Sequence, residues 1–224
     1  MRLAGASLCV VAAAALAACG GGSNGSTTAA APLTLDQRLL KPGDVSGRLA
    51  PGPKQRLTGA RPAAVRMNGV LIHPKQTAAQ LRRAHFAVLL GQQFRSLVKG
   101  TPNKPPTGPG GELDSIVIRV GSPAAATSLL SWMSTQAEQP CPGTCDVRIQ
   151  EFTPSGIADS RGVERSRATR TAGGAPFDLN IVGFANGPFV YIVSAGGEPG
   201  AFPRDKVVGD AQKLYDRVRG APSA

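Results

Sequence analysis

Residues 177–194 read Phe-Asp-Leu-Asn-Ile-Val-Gly-Phe-Ala-Asn186-Gly187-Pro188-Phe-Val-Tyr-Ile-Val-Ser, two apolar runs on either side of Asn-Gly. β-branched and aromatic residues dominate both runs, and Asn-Gly is the preferred pair for a two-residue hairpin turn because both of its positions tolerate positive φ. The stretch predicts an antiparallel hairpin with Phe184 opposite Phe189, Val182 opposite Tyr191 and Ile181 opposite Ile192. Pro188 has no N–H to close the tightest turn onto Ala185, which predicts a wider loop or a bulge. Antiparallel pairing of this kind sets the fold class as α+β, a mainly antiparallel sheet with helices packed on it in one domain.

After the hairpin, Val207, Ala211, Leu214 and Val218 recur at i, i+4, i+7 and i+11 and predict a helix over residues 203–219, stopped by Gly220 and Pro222. Before it, residues 157–171 carry Arg161, Arg165, Arg167 and Arg170 and read as a strand with one solvated face. Residues 146–152 alternate and predict another strand. Ser122-Pro123 supplies a cap and a first-turn proline for a helix reaching about residue 139, with Ala126, Leu129, Leu130 and Met133 inward. The β-branched run at 113–120 predicts a strand. Phe86, Leu90, Phe94 and Leu97 predict a helix over residues 77–98, the third to pack on the sheet. Residues 100–111 are dense in Pro and Gly and read as a loop and a candidate lobe boundary. Strand character is expected around residues 64–71, and an irregular stretch over 41–53.

The N-terminus is a different kind of sequence. Met1-Arg2 precedes an apolar run from Leu8 to Leu16 that closes on small residues, the layout of a secretory signal. The run falls short of the roughly 20 apolar residues that a membrane span needs. Leu16-Ala17-Ala18-Cys19 followed by Gly20 resembles the lipobox of bacterial lipoproteins at all four positions. The resemblance implies a signal peptide over residues 1–18, a diacylglycerol on Cys19, and attachment to the outer face of the cell membrane. Residues 19–32 would then be the lipidated cysteine and a Gly/Ser/Thr/Ala tether, and residues 33–220 the ectodomain. Gly21-Gly-Ser-Asn-Gly25 matches the Gly-x-Ser-x-Gly nucleophile elbow in letters, but it lacks the flanking strand and helix that give the motif its geometry.

The formal net charge is +11. Export argues against nucleic acid as the counter-charge, and makes anionic lipid headgroups or wall polymers the partners to consider. Arg165 and Arg167, alternate residues on a strand, would share a face, where two guanidiniums can grip an anion. The four arginines at 161, 165, 167 and 170 are therefore the candidate anion site. Of four cysteines, Cys9 leaves with the signal and Cys19 carries lipid. Cys141 and Cys145, in Cys-Pro-Gly-Thr-Cys, are expected to form a structural disulfide in an oxidising compartment. Copper-handling thioredoxin-like proteins use the same spacing ahead of a helix, whereas here the pair follows one.

His73 and His85 stand without a second ligand at metal spacing, and His85 reads as a partly buried helical residue. Glu112 and Asp114 lie two apart at a strand entrance, with no motif for acid–base catalysis. No metal, cofactor or catalytic residue is expected. The succession of strand, Ser-Pro-Ala-Ala-Ala helix (122–126), stapled turn, strand, aromatic hairpin and Leu-Tyr-Asp-Arg-Val helix (214–218) resembles lipoproteins of high-GC Gram-positive bacteria, some with PsbP-like or kinase-sensor-like α+β ectodomains. Over residues 110–220 that resemblance implies a fold class and a location. Three function classes follow: a non-catalytic ligand-binding or sensor module, a partner-docking envelope protein, and an extracytoplasmic enzyme. An apolar pocket between sheet and helix marks the first, an exposed apolar patch the second, and converging polar groups with shifted pKa values the third.

Overall fold

A computed structural model describes residues 31–222 except 48, 69, 72, 97–110, 138–144 and 170–175. Seven strands run β1 (Leu49–Leu57), β2 (Val88–Ser96), β3 (Gly111–Arg119), β4 (Cys145–Phe152), β5 (Ser160–Thr169), β6 (Phe177–Asn186) and β7 (Phe189–Gly197). They form one sheet in the order β1-β2-β3-β7-β6-β5-β4, and every neighbouring pair is antiparallel. Four α-helices cover it: α1 (Ala60–Arg66), α2 (Pro74–Arg83), α3 (Pro123–Ala137) and α4 (Arg204–Val218). The α+β class expected from the hairpin is the one observed.

The hairpin is present in a different register. Asn186 pairs with Phe189, Phe184 with Tyr191, Val182 with Val193 and Ile181 with Ser194. Its loop is the two residues Gly187-Pro188, tighter than the widened loop expected from Asn-Gly. The reason is proline chemistry. With Pro188 in the second loop position its missing N–H is not needed, and its fixed φ near −65° excludes the type I′ turn. Gly187, at φ +57°, supplies the positive φ that a type II′ turn needs in first position. The slip is by two residues, so every side chain keeps the face that its alternation assigned.

The sheet is buried on both sides. One face packs Leu90, Phe94, Val117, Val182 and Phe184 under α4, whose stripe Val207, Ala211, Leu214 and Val218 is at most 1% exposed. The other packs Leu89, Ile116, Ile118, Ile181 and Ile192 under α1, α2 and α3. Ser122 caps α3 as expected, its Oγ accepting the Ala125 N–H at 3.1 Å.

Three local expectations are corrected. The helix over 77–98 is α2 followed by strand β2. Val88, Leu89 and Leu90 are all buried, because β2 is an inner strand covered on both faces and so has no polar side to show. The segment around 64–71 is α1 and its following turn, so four helices pack on the sheet where three were expected. The Pro/Gly stretch contains the start of β1. As an edge strand β1 accommodates Pro51 and Pro53, with a register irregularity between Pro51 and Lys54. The loop read as a lobe boundary lies mostly outside the described residues, but β2 and β3 on either side of it pair residue for residue.

The segment before β1 is fastened across the α4 face by two arginines. Arg38, in a short 3₁₀ turn (Asp36–Arg38), is 1% exposed. It donates from Nη1 to Tyr191 Oη at 2.7 Å, from Nε to Leu33 O at 3.2 Å and from Nη2 to Pro222 O at 3.3 Å. Its guanidinium carbon lies 4.0 Å from the centre of the Phe189 ring. Arg217 on α4 donates to the Asp44 carboxylate and, at 2.7 Å, to Leu39 O.

Burial alone would raise the Asp44 pKa. The Arg217 hydrogen bond, the Lys41 N–H at 2.6 Å and the charges of Arg217 and Lys213 outweigh it and hold the carboxyl below its ordinary 3.8. A carboxyl with a depressed folded pKa contributes stability that is fully present above its unfolded value and is lost as pH falls through the folded value. Urea midpoints measured downward from pH 5 should therefore drop increasingly below pH 3.8. The drop should be shallower in Asp44→Asn, and equal slopes in the two proteins would remove Asp44 as a cause.

Candidate functional site

Helix α3 lies over β5, β6 and β7, and its inward Leu130 and Met133 meet the sheet beside Gly183. A Cβ at Gly183 would fall 2.7 Å from Leu130 Cδ1, so the absent side chain is what lets the helix sit this low. The packing is incomplete further along. Leu71, Leu130, Met133, Val163, Ile181 and Ile192 surround an apolar cavity of about 30 Å³, enough for one methyl-sized group. Met133 is the adaptable wall, with an unbranched side chain that can swing to lengthen the space.

At the mouth of the cavity the chemistry changes. Ser134 and Arg161 line both the cavity and an adjoining polar groove of about 160 Å³, which Glu151, Phe152, Thr153 and Ser160 complete. Arg161 is exposed and makes no ion pair among the described residues. The two spaces together suit a small amphipathic molecule: an apolar end under α3, an anionic group on Arg161, and hydrogen-bond donors for Glu151.

The arginine run therefore resolves into separate positions. Arg161, Val163, Arg165 and Arg167 alternate along β5, and Val163 faces the α3 core. The face expected to be solvated is thus the helix-covered one. Glu164 points the other way and takes Arg204 from α4 at 2.5 Å. Arg165 is half-buried opposite Ile149 and Leu179, and desolvation lowers its pKa. About 13 Å of strand separates Arg165 from Arg161 at ~3.3 Å per residue, too far for one small anion to bridge. Arg167 pairs with Val147 and Phe177 in the backbone register, and Arg170 lies outside the described residues.

Cys19 and Cys141 lie outside the described residues, and Cys145 opens β4. His85 is not helical: it follows α2 with φ +52° and is exposed. His73 precedes α2, its carbonyl accepting from Thr77 N at 2.9 Å and Oγ1 at 3.0 Å. Asp114 is mostly buried and paired with Arg66, while Glu112 takes the Gln93 amide at 2.7 Å. Among the described residues no group of His, Cys, Asp and Glu could hold a metal ion, and no helix is long and apolar enough to cross a membrane.

Ser134 and Glu151 were not singled out from sequence, and Leu130, Met133, Ile181 and Ile192 were read only as core. With the apolar lining they come from α3, β4, β5, β6, β7 and the turn carrying Leu71, and only the placement of α3 brings them together.

No family model and no curated protein matches the chain. Among solved structures, it is similar to the extracellular domain of PknH from Mycobacterium tuberculosis. The TM-score is 0.52 and the identity 12%, over 84% of this chain and 98% of that one. At that identity the likeness is one of fold alone.

Proposed function

We propose that the chain is an exported, lipid-anchored binding module of the cell envelope, without catalytic chemistry of its own. Its ligand is a small amphipathic molecule taken up between α3 and the sheet. The observation that carries this reading is the apolar cavity that opens at Arg161, an exposed guanidinium with no ion pair among the described residues. The similarity of fold to an extracellular domain supports the location, as does the lipobox-like Leu16–Cys19 stretch. The Cys141–Cys145 disulfide belongs to the same proposal, since an oxidising compartment is what would form it.

The test uses protein extracted from membranes. Intact mass should show Cys19 as the N-terminal residue carrying a diacylglycerol. Native mass spectrometry should show a small co-purified molecule, and short alkyl carboxylates should raise the melting temperature, the gain levelling off once the chain outgrows the space that Met133 can open. In Arg161→Glu both the bound molecule and the rise should be lost while the fold is retained. If wild type and Arg161→Glu respond alike to every carboxylate, the site is wrong.

A further inference from the structure

The positive charge of the chain is segregated. Between Asp44 and Glu112 there is no acidic residue and there are eleven Lys and Arg, whereas the rest of the chain carries fourteen of each sign. The whole excess of +11 therefore falls within residues 45–111, whose described part builds β1, α1, α2 and β2 and carries eight of the eleven. Placed on the fold, this is one end of the sheet and the pair of short helices above it. Arg61 on α1 and Lys75, Arg82 and Arg83 on α2 are all exposed, and Arg56 on the edge strand is exposed on the α4 side. None of the five forms an ion pair among the described residues.

On and just after α4 the balance differs: Arg204, Lys213, Arg217 and Arg219 each meet a carboxylate, and only Lys206 is unpaired among the described residues. Crowding unpaired like charges on one surface works against the compact state, so the pattern calls for an anionic partner.

We infer that the outer surface of α1–α2 and the adjoining β1 edge form a docking face for an anionic lipid bilayer. Two further observations favour a bilayer over a soluble polyanion. Val65, 61% exposed, is the most exposed large apolar side chain described, and it stands on α1 between Arg61 and Arg66. An apolar tip amid cations gains from entering the headgroup layer, and a soluble polymer gives it nothing to enter. In addition, Lys54 of β1 pairs with Asp36 at 2.5 Å, which ties the base of the N-terminal segment to the β1 edge from the α4 side, next to this face. A short polar tether from that point leaves the face within reach of whatever surface holds the N-terminus. Attraction of this kind sums over the cations within a Debye length and is screened by salt. The inference stands apart from the α3 cavity, which is lined by other residues.

Lysine acetylation of the full chain, reconstituted into vesicles and read by mass spectrometry, tests it with an internal reference. On vesicles with a third of their lipid as phosphatidylglycerol, Lys75 should label about threefold more slowly than on purely zwitterionic vesicles, and the difference should vanish at about 0.5 M salt. Lys206 on α4, exposed and on the other side of the sheet, should label equally on both. The triple variant Arg61→Glu, Arg82→Glu, Arg83→Glu should lose the protection of Lys75. Equal Lys75 rates on the two vesicles, or equal protection of Lys206, would overturn the inference. Protection by soluble polyphosphate but not by vesicles would replace the bilayer with an anionic polymer.

Discussion

Arg38→Ala is expected to lower the unfolding free energy by about 3–5 kcal/mol, the largest loss from any single polar change in this chain. The guanidinium is buried and meets no carboxylate among the described residues. Its charge is met by two carbonyl oxygens, a phenol and the face of Phe189. Truncation leaves Tyr191 Oη buried with no donor, frees two carbonyls and opens a void. Burial raises the Tyr191 pKa, and the Arg38 hydrogen bond and charge only partly counter it, so the phenol remains neutral and offers no compensating charge. Lysine should not restore the loss, because one ammonium cannot reach three acceptors and lie over a ring at the same time. Urea denaturation measures the effect, and a loss under about 1 kcal/mol would mean that water replaces the guanidinium at little cost.

Leu130→Ala is the second large effect, expected at about 2–5 kcal/mol from lost transfer energy and the added void. It differs from an ordinary core truncation because a cavity already exists beside it. The two spaces should merge, so the variant should be restabilised by small apolar molecules to a greater degree than wild type. Leu130→Met, which keeps the volume, should cost less than about 1.5 kcal/mol. Thermal melts with and without a small alkane or benzene separate these outcomes. A variant that gains nothing from the additive would show that α3 has settled onto Gly183 and closed the gap.

How much of this was legible in the sequence depended on how local the cause was. Helix α4 could be read because its whole signal, stripe and stop residues alike, lies within seventeen positions. Strand β2 was misread for an arithmetical reason. Leu90 and Phe94 are four apart, and four is close to one helical turn but also an even number, so the two share a face of the strand, while Phe86 precedes β2 and packs with the opposite core. The buried Leu89 beside Leu90 decides the matter, and it faces that opposite core. In the hairpin, face assignment survived while register did not, because Asn-Gly outweighed the constraint set by Pro188. At the site, Arg161 was visible as one of a run. Its distinction from Arg165 depends on where α3 ends and on the turn carrying Leu71, ninety residues earlier in the chain. No spacing within β5 encodes that.

The Arg38 clamp also sets how the domain bears a load. The segment leading in from residue 31 continues into β1, an edge strand held by β2 alone, and a pull along it would peel β1 away one hydrogen bond at a time. Arg38 intercepts that pull. It ties the segment to Tyr191 on β7, the central strand of seven, and to the carbonyl of Pro222 beyond α4. Tension entering at the N-terminus is thereby passed to the middle of the sheet and to both ends of the chain at once. The cavity under α3, on the far face, is left out of the load path.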